Sequence, residues 1–297
     1  MSRPKSKEMD LTVGNPFGSL LKFAIPVILG NLFQLFYTLA DSVIVGKTLG
    51  ADSLAAVGAT SIIIYFVFCF INGFTGGFGI CLGQRCGAKD EKGMRKSVAV
   101  STLLSIIFTI VLTLICCLFA HELLYLMQIP ADISGEAYDY MFVVLLGTGA
   151  TVFYNMISNM LRALGDSKTP LYFLVFSSIL NIFLDLFFIL VFHMGVAGAA
   201  WATVIAQAVS GVGIALYTRR KLTLPKAKAK TRSLSRLWEL IVNDAATALQ
   251  QSVMNFGILV IQGLVNSFGA TVMASFAAAV KIDTIAYMPA QEFGNAY

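Results

Sequence analysis

Two aspartates, Asp41 and Asp185, lie within long apolar stretches of the chain. An ionisable residue inside a membrane span is costly, so such residues commonly mark an ion or substrate pathway. Asn181 precedes Asp185 by four residues, which places both side chains on one face of a helix. Gln34 and Tyr37 share a helix face with Asp41 in the same way. Two facing helices could therefore form a polar pocket that contains two carboxylates.

The predicted pocket has the chemistry of a cation site. Thr203, in a third apolar stretch, adds a hydroxyl group to it. Hard cations such as Na⁺ prefer oxygen ligands, and a proton also relieves the repulsion between two desolvated carboxylates. We therefore predict Na⁺, bound at Asp41, Asn181 and Asp185, or H⁺ as the ligand. For Asn181, Thr203 or Gln34 taken singly, a hydrogen bond that joins two helices is the alternative role.

The stretches that carry these residues are predicted to be transmembrane helices. Hydrophobic residues make up 57% of the 297 residues and charged residues 12%, whereas soluble domains contain about 25% charged residues. This composition excludes an ordinary soluble enzyme, a disordered regulator and a secreted disulfide scaffold. Eight apolar runs are long enough to cross a bilayer, and they lack the alternation of barrel strands. The predicted spans are 23–45, 54–82, 98–120, 141–160, 171–192, 196–217, 245–268 and 271–297.

The order of the spans predicts two lobes. Six spans lie in residues 1–218, a basic linker occupies residues 219–240, and two spans lie in residues 241–297. Residues 50–59 resemble residues 269–278, which indicates an internal repeat of the kind that many transporters contain. We therefore predict an all-α, polytopic helix bundle with a six-helix N-lobe and the first two helices of a second, pseudo-symmetric lobe. A complete second lobe would need four more helices, so we expect a truncated chain.

The distribution of basic residues predicts the orientation in the membrane. Of the 21 lysines and arginines, all except Lys47 and Lys281 fall on the same side of the spans as the N-terminus. Positive loops remain in the cytoplasm, so we expect a multi-pass protein of the plasma membrane with a cytoplasmic N-terminus. The basic linker could bind nucleic acid or anionic lipid, but a topogenic role is the simpler interpretation. We expect membrane lipid, and no nucleic acid, among the partners.

Several motifs for other chemistry are missing from the sequence. The five cysteines lack disulfide or zinc-site spacing, and neither His121 nor His193 has a metal-binding partner at a useful spacing. No phosphate-binding loop occurs, so we expect no cofactor apart from the coupling ion. An intramembrane aspartyl protease also uses two aspartates, but Asp185 follows Ile182, Phe183 and Leu184 where that class typically has Gly-x-Gly before the aspartate. We therefore predict that the protein is not an enzyme.

Pro26 lies inside the first predicted span. An internal proline removes a backbone hydrogen bond and kinks the helix. This position could let the first helix bend when a cation or proton binds at Asp41, or it could be a static kink.

Two segments resemble the multidrug and toxic compound extrusion (MATE) family. One covers residues 25–58 and contains DSVIVG at residues 41–46. The other is LRALGDSKTP at residues 161–170, followed by Asn181, Asp185 and residues 195–207. The resemblance implies an antiporter of two six-helix lobes. Such a protein exports organic cations and other amphiphiles by alternating access, against inward Na⁺ or H⁺.

The resemblance also implies roles for particular residues. In members with a cation site in the N-lobe, that site is formed by the residues that match Asp41, Asn181, Asp185 and Thr203. The residues that match polar neighbours of the site are Gln34, Tyr37 and Asn155. Pro26 matches a proline at which the first helix bends in some members. The predicted span 245–268 contains no acid, unlike another branch of the family, so we expect coupling through the N-lobe alone.

One part of the chain departs from the family pattern. Asp244 and Ala246 depart from the Gly and Pro that related chains often carry at the start of the seventh span.

A lipid-linked saccharide flippase of the same fold is the nearest alternative function, but such proteins usually line the cleft with basic residues. A non-transporting remnant is the other. We expect a monomer with a small amphiphilic or cationic substrate. Three residues either line the cleft or pair with further helices: Lys281, Asp283 and Glu292.

Overall fold

The computed structural model describes residues 16–126 and 129–221, together with residues 279, 286 and 287. Apart from those three residues, the predicted spans 245–268 and 271–297 lie outside the described residues, as do Lys281, Asp283 and Glu292 and most of the basic linker. The main helices are α1 (Pro16–Thr48), α2 (Ala51–Gly87), α3 (Glu91–Leu118), α4 (Ala120–Leu126), α5 (Ala131–Leu146), α6 (Thr148–Ala163), α7 (Lys168–Leu186) and α8 (Gly195–Lys221). A π-helical segment, Phe187–Val191, continues α7. The predicted all-α fold class is confirmed.

Six segments of the described chain correspond to the six spans predicted before the linker. Five helices are long and apolar enough to cross a bilayer by themselves, namely α1, α2, α3, α7 with its π-helical continuation, and α8. Helices α5 and α6 together make a sixth span, which is bent by 43° where they meet. The chain is therefore a multi-pass membrane protein.

The fourth predicted span was wrong in its shape. The sequence predicted one helix over residues 141–160, whereas α5 starts ten residues earlier and the span breaks at Gly147. A β-carbon at Gly147 would lie 2.1 Å from Cγ2 of Val204 in α8. The backbone of Gly147 is not in the left-handed region (φ −80°, ψ 0°), so it is the closeness of α8 that requires glycine. Hydropathy did not reveal the break because apolar residues continue through it.

Polar caps define two turns on the N-terminal side of the membrane. The Asp90 side chain accepts a hydrogen bond from the Gly93 amide at 2.9 Å, which starts α3. The Asp166 carboxylate accepts hydrogen bonds from the amide and hydroxyl of Thr169 at 3.0 and 2.8 Å, which starts α7. Arg85 donates to the Gly93 carbonyl at 3.0 Å and joins the end of α2 to α3. These caps extend the helices beyond the apolar runs that the sequence displays.

Helix α3 presents an apolar face to its surroundings. Ile106, Ile110 and Leu114 recur at intervals of four residues, and each is 53–57% exposed. A face of this kind would be unstable in water and is suited to lipid acyl chains. The side of the described bundle that carries α3 is therefore the side that contacts lipid.

Substitution of Gly147 by Ala should destabilise the protein by about 1–3 kcal/mol, because the added methyl group overlaps Val204. The double variant Gly147→Ala, Val204→Ala should recover most of that loss. Thermal unfolding of the purified protein in detergent measures both effects. Gly135→Ala in α5 is the matched control, because no heavy atom lies within 4 Å of its added β-carbon. Equal melting temperatures for Gly147→Ala and the wild type would contradict the steric explanation.

Candidate functional site

The two membrane aspartates lie side by side in the bundle. Asp41 of α1 is 7% exposed and Asp185, near the end of α7, is fully buried. Their carboxyl groups are close enough to interact with each other. A hydrogen bond between two carboxyl groups needs a proton on one of them, because ionised carboxylates only accept. The structure therefore brings the two predicted acids together as a pair that can share one positive charge.

Asn181 and Thr203 join the acid pair from adjacent helices. Nδ2 of Asn181 donates to Oγ1 of Thr203 in α8 at 3.2 Å. The same nitrogen lies 3.5 Å from Oδ1 of Asp185, one helical turn further along α7. Both contacts use the amide nitrogen, so the amide oxygen of Asn181 remains available. The four residues that the sequence grouped as a cation site therefore lie together where α1, α7 and α8 meet.

Three oxygen atoms of this site are buried without a hydrogen-bond partner. They are Oδ1 of Asp41, Oδ1 of Asn181 and Oδ2 of Asp185. Leaving a buried acceptor unpaired costs about 1–3 kcal/mol, so three together favour a ligand that supplies positive charge. Carboxylate and amide oxygens suit Na⁺, and either carboxylate can take a proton. The described residues contain no group of three or more His, Cys, Asp or Glu that could hold a metal ion.

A second polar layer lies next to the acid pair. Tyr37, one turn before Asp41 in α1, lies close enough to Gln207 of α8 for their side chains to interact. Oε1 of Gln207 accepts a hydrogen bond from the hydroxyl of Thr151 in α6. Tyr140 of α5 is close enough to both aspartates and to Tyr37 for electrostatic interaction. The site therefore receives side chains from five helices.

The sequence predicted one member of this layer, and three others emerge only from the structure. Tyr37 was identified from its spacing to Asp41, whereas Tyr140, Thr151 and Gln207 were not assigned to the site. Gln207 follows Thr203 by four residues and so shares its helix face, a signal that the sequence contained. Tyr140 and Thr151 had no comparable signal, because tyrosine and threonine are common in membrane helices.

Three other predicted residues lie apart from the acid pair. Asn155 donates to Oδ1 of Asn72 in α2 at 3.2 Å, which links α6 to α2. Gln34 has an exposed side chain on α1. Pro26 is buried inside α1, which continues through it as one helix. Fifteen residues separate Pro26 from Asp41, or about 22 Å along the helix axis. Any effect of Pro26 on the site must therefore be transmitted along α1.

Helix α7 changes its hydrogen-bonding pattern directly after the site. The π-helical segment Phe187–Val191 begins two residues after Asp185. Its wider turn is closed by a hydrogen bond from the Phe192 amide to the Phe187 carbonyl at 3.3 Å. Single π-helical turns are rare in proteins, but those that do occur are often found at functional sites. The irregularity lies where α7 positions its buried acid.

Comparison with known proteins relates this chain to a family of membrane transporters. A family model described as MatE matches residues 26–187. The probable multidrug resistance protein YpnP of Bacillus subtilis (strain 168) is 32% identical over 290 residues, which cover 98% of this chain and 65% of that protein. The chain thus spans just under two thirds of the length of this relative.

Two solved structures share the fold over nearly the whole chain. A crystal structure of MATE in the bent conformation has a TM-score of 0.89 and 27% identity, over 99% of this chain and 66% of that one. A MOP superfamily transporter from Pyrococcus furiosus has a TM-score of 0.88 and 28% identity over the same shares. The reverse polarity of the binding pocket of that transporter suggests a different function for it. Similarity of fold therefore leaves the substrate open.

The acid pair predicts a stability that depends on pH and cations. At alkaline pH without Na⁺, both carboxylates are charged and repel each other, so acidification or added Na⁺ should stabilise the folded protein by about 1–3 kcal/mol. Asp185→Asn removes one charge and should abolish this response. The melting temperature in detergent, with potassium as the control cation, measures it. An unchanged response in Asp185→Asn would show that other groups are responsible.

Proposed function

Because this chain belongs to the MatE family, we propose that it is part of a cation-coupled antiporter that exports small amphiphilic or cationic molecules by alternating access. The observation that supports the coupling is the buried pair Asp41 and Asp185 with its three unpartnered oxygen atoms. The relatives are named as multidrug resistance and multidrug export proteins. A transporter, and no enzyme, is the function that agrees with both.

The coupling step follows from which helices hold the acids. Asn181 and Thr203 fix α7 to α8 by a hydrogen bond, whereas α1 contributes Asp41 from the other side. A Na⁺ ion or proton that enters from outside removes one of the two negative charges of the pair, which relieves their repulsion and strengthens the attachment of α1 to α7. We propose that α1 then bends near Pro26, where a backbone hydrogen bond is missing. This movement releases substrate outside, and rocking of the lobes carries the cation inward.

The coupling ion is Na⁺ or H⁺ in this proposal. Na⁺ would be bound by Asp41, Asn181 and Asp185, with the hydroxyl of Thr203 close by. H⁺ would be held between the two carboxyl groups, which lie close enough to interact. In both cases the site takes up one positive charge. The substrate binds to the conformation that the empty site favours, so substrate and cation compete for the protein.

A lipid-linked saccharide flippase is the second candidate. A pyrophosphate-bearing substrate needs basic residues in the membrane-spanning part of the cleft. In the described helices the basic side chains instead lie near the helix ends, as Lys22, Arg85, Arg162 and Arg219 illustrate. This placement and the names of the relatives favour the drug antiporter.

We further propose that the protein is a monomer in the plasma membrane. We propose that its N-terminus lies in the cytoplasm. The turns before α3 and α7 are basic, with Lys89, Lys92 and Lys168 close to them. Helix α4 and the first turn of α5, on the opposite side, instead carry the exposed acids Glu122 and Asp132. Positive loops are retained on the cytoplasmic side during insertion.

Cysteine labelling tests the orientation. Lys92→Cys and Asp132→Cys place exposed thiols in the first turn of α3 and of α5, on opposite sides of the membrane. In intact cells, a membrane-impermeant maleimide should label Asp132→Cys above the wild-type background and leave Lys92→Cys unlabelled until the cells are opened. The five native cysteines set the background in the wild type. The reverse labelling pattern would overturn the proposed orientation.

Transport itself is tested with the full-length product of the gene, expressed in bacteria that lack their main efflux pumps. Energised cells should export ethidium, and the double variant Asp41→Asn, Asp185→Asn should reduce export to the level of cells without the gene. Asp132→Asn, an exposed acid outside the site, is the matched control and should export normally. Dependence on external Na⁺ or on a proton gradient identifies the ion. Undiminished export by the double variant would refute coupling through this acid pair.

A further inference from the structure

The second polar layer lies on a defined side of the acid pair. Helix α1 runs away from the N-terminal side of the membrane, so Tyr37 is one turn closer to that side than Asp41. Helix α8 runs in the opposite direction, so Gln207 is one turn closer to it than Thr203. Four residues correspond to about 6 Å along a helix. Tyr37 and Gln207 therefore form a layer about one turn deep between the acid pair and the N-terminal side.

Gln207 holds this layer together across three helices. Its amide oxygen accepts a hydrogen bond from the hydroxyl group of Thr151, which is 8% exposed on α6. Its side chain is also close enough to Tyr37 on α1 to interact with it. With its oxygen held by Thr151, the amide group keeps its N–H donors available for the Tyr37 oxygen. Gln207 thus orients the phenol from the side that faces away from the acids.

The Tyr37 side chain has several polar neighbours. Asp41 on its own helix, Tyr140 on α5 and Tyr154 on α6 are the titratable side chains that interact with it. A hydroxyl group among such neighbours can turn towards any of several acceptors. A polar group fixed on the side away from the acids restricts that choice. Gln207→Leu would remove that group.

We propose that Gln207, anchored by Thr151, is a positioning residue that holds Tyr37 as the floor of the cation site and so limits escape of the coupling ion to the cytoplasm. This inference rests on the proposed antiport function and orientation. An antiporter must release its cation inward only in step with substrate export. A site open to both sides at once would let cations pass without substrate. The floor separates the acid pair from the cytoplasm while the site is accessible from outside.

The experiment uses the full-length protein in liposomes. Substrate-free cation entry is measured with ²²Na⁺, or with a trapped pH-sensitive dye if H⁺ is the coupling ion. Gln207→Leu should raise substrate-free entry about fivefold, the factor that one ordinary hydrogen bond represents. Its melting temperature should still respond to the cation, because the acid pair is intact. Gln84→Leu, an exposed glutamine at the far end of α2, is the matched control and should not leak.

Two further variants separate the proposed role from a general loss of structure. Thr151→Val removes only the anchor of Gln207 and should leak in the same direction, which keeps the test informative if Gln207→Leu does not fold. Gln207→Leu combined with Tyr37→Phe should leak no more than the larger single effect, because both act through one contact. Additive leaks, or normal entry in both Gln207→Leu and Thr151→Val, would overturn the inference.

The result is distinguishable from failure of the proposed function. If the wild type shows no cation-dependent export of ethidium, the antiport proposal fails and the floor has no role to play. If the wild type exports and Asp41→Asn does not, antiport through the acid pair stands. Normal substrate-free entry in the Gln207 and Thr151 variants would then refute the floor alone.

Discussion

Burial of two carboxyl groups side by side is the constraint on which the rest of this bundle depends. Asp41 and Asp185 lie in a chain with 57% hydrophobic residues, and neither can remain ionised there without compensation. Asn181 and Thr203 use their mutual hydrogen bond to fix α7 against α8, but they do not satisfy every oxygen of the acids. The oxygens left without a partner make this the place in the described bundle where a positive charge would be most favourable.

The contact between α6 and α8 shows how local packing positions the site. Val204 occupies the space that a side chain at Gly147 would fill, so the two helices approach closely at the break between α5 and α6. Thr151 lies one turn after that glycine, and Gln207 lies almost one turn after that valine. Their hydrogen bond therefore follows from the same close approach. The break in the fourth span and the second polar layer are consequences of a single contact.

The sequence predicted the acid site better than it predicted the residues around it. Asp41 and Asp185 were recognisable because a charge within an apolar span is rare, and Asn181 because it shares a helix face with Asp185. Tyr140 and Thr151 were missed because their role depends on which helices become neighbours, which no periodicity reveals. The break at Gly147 was missed for the same reason, since it depends on α8. The existence of six spans before the linker was predicted correctly, although not the shape of the fourth, because a span needs only length and hydrophobicity.

The exposed side chains of the described helices differ in polarity, and this difference separates a lipid-facing side of the bundle from another side. The exposed residues of α3 at mid-span are apolar, whereas α1 and α2 expose the amides of Gln34 and Asn72. A polar side chain at membrane depth is unfavourable against lipid and is tolerated against protein or water. The exposed side of α1 and α2 must therefore face protein or an aqueous cleft. Gln34 shares a helix face with Asp41 and lies about 10 Å away from it along α1, so a movement of α1 displaces the buried acid pair and that exposed surface together.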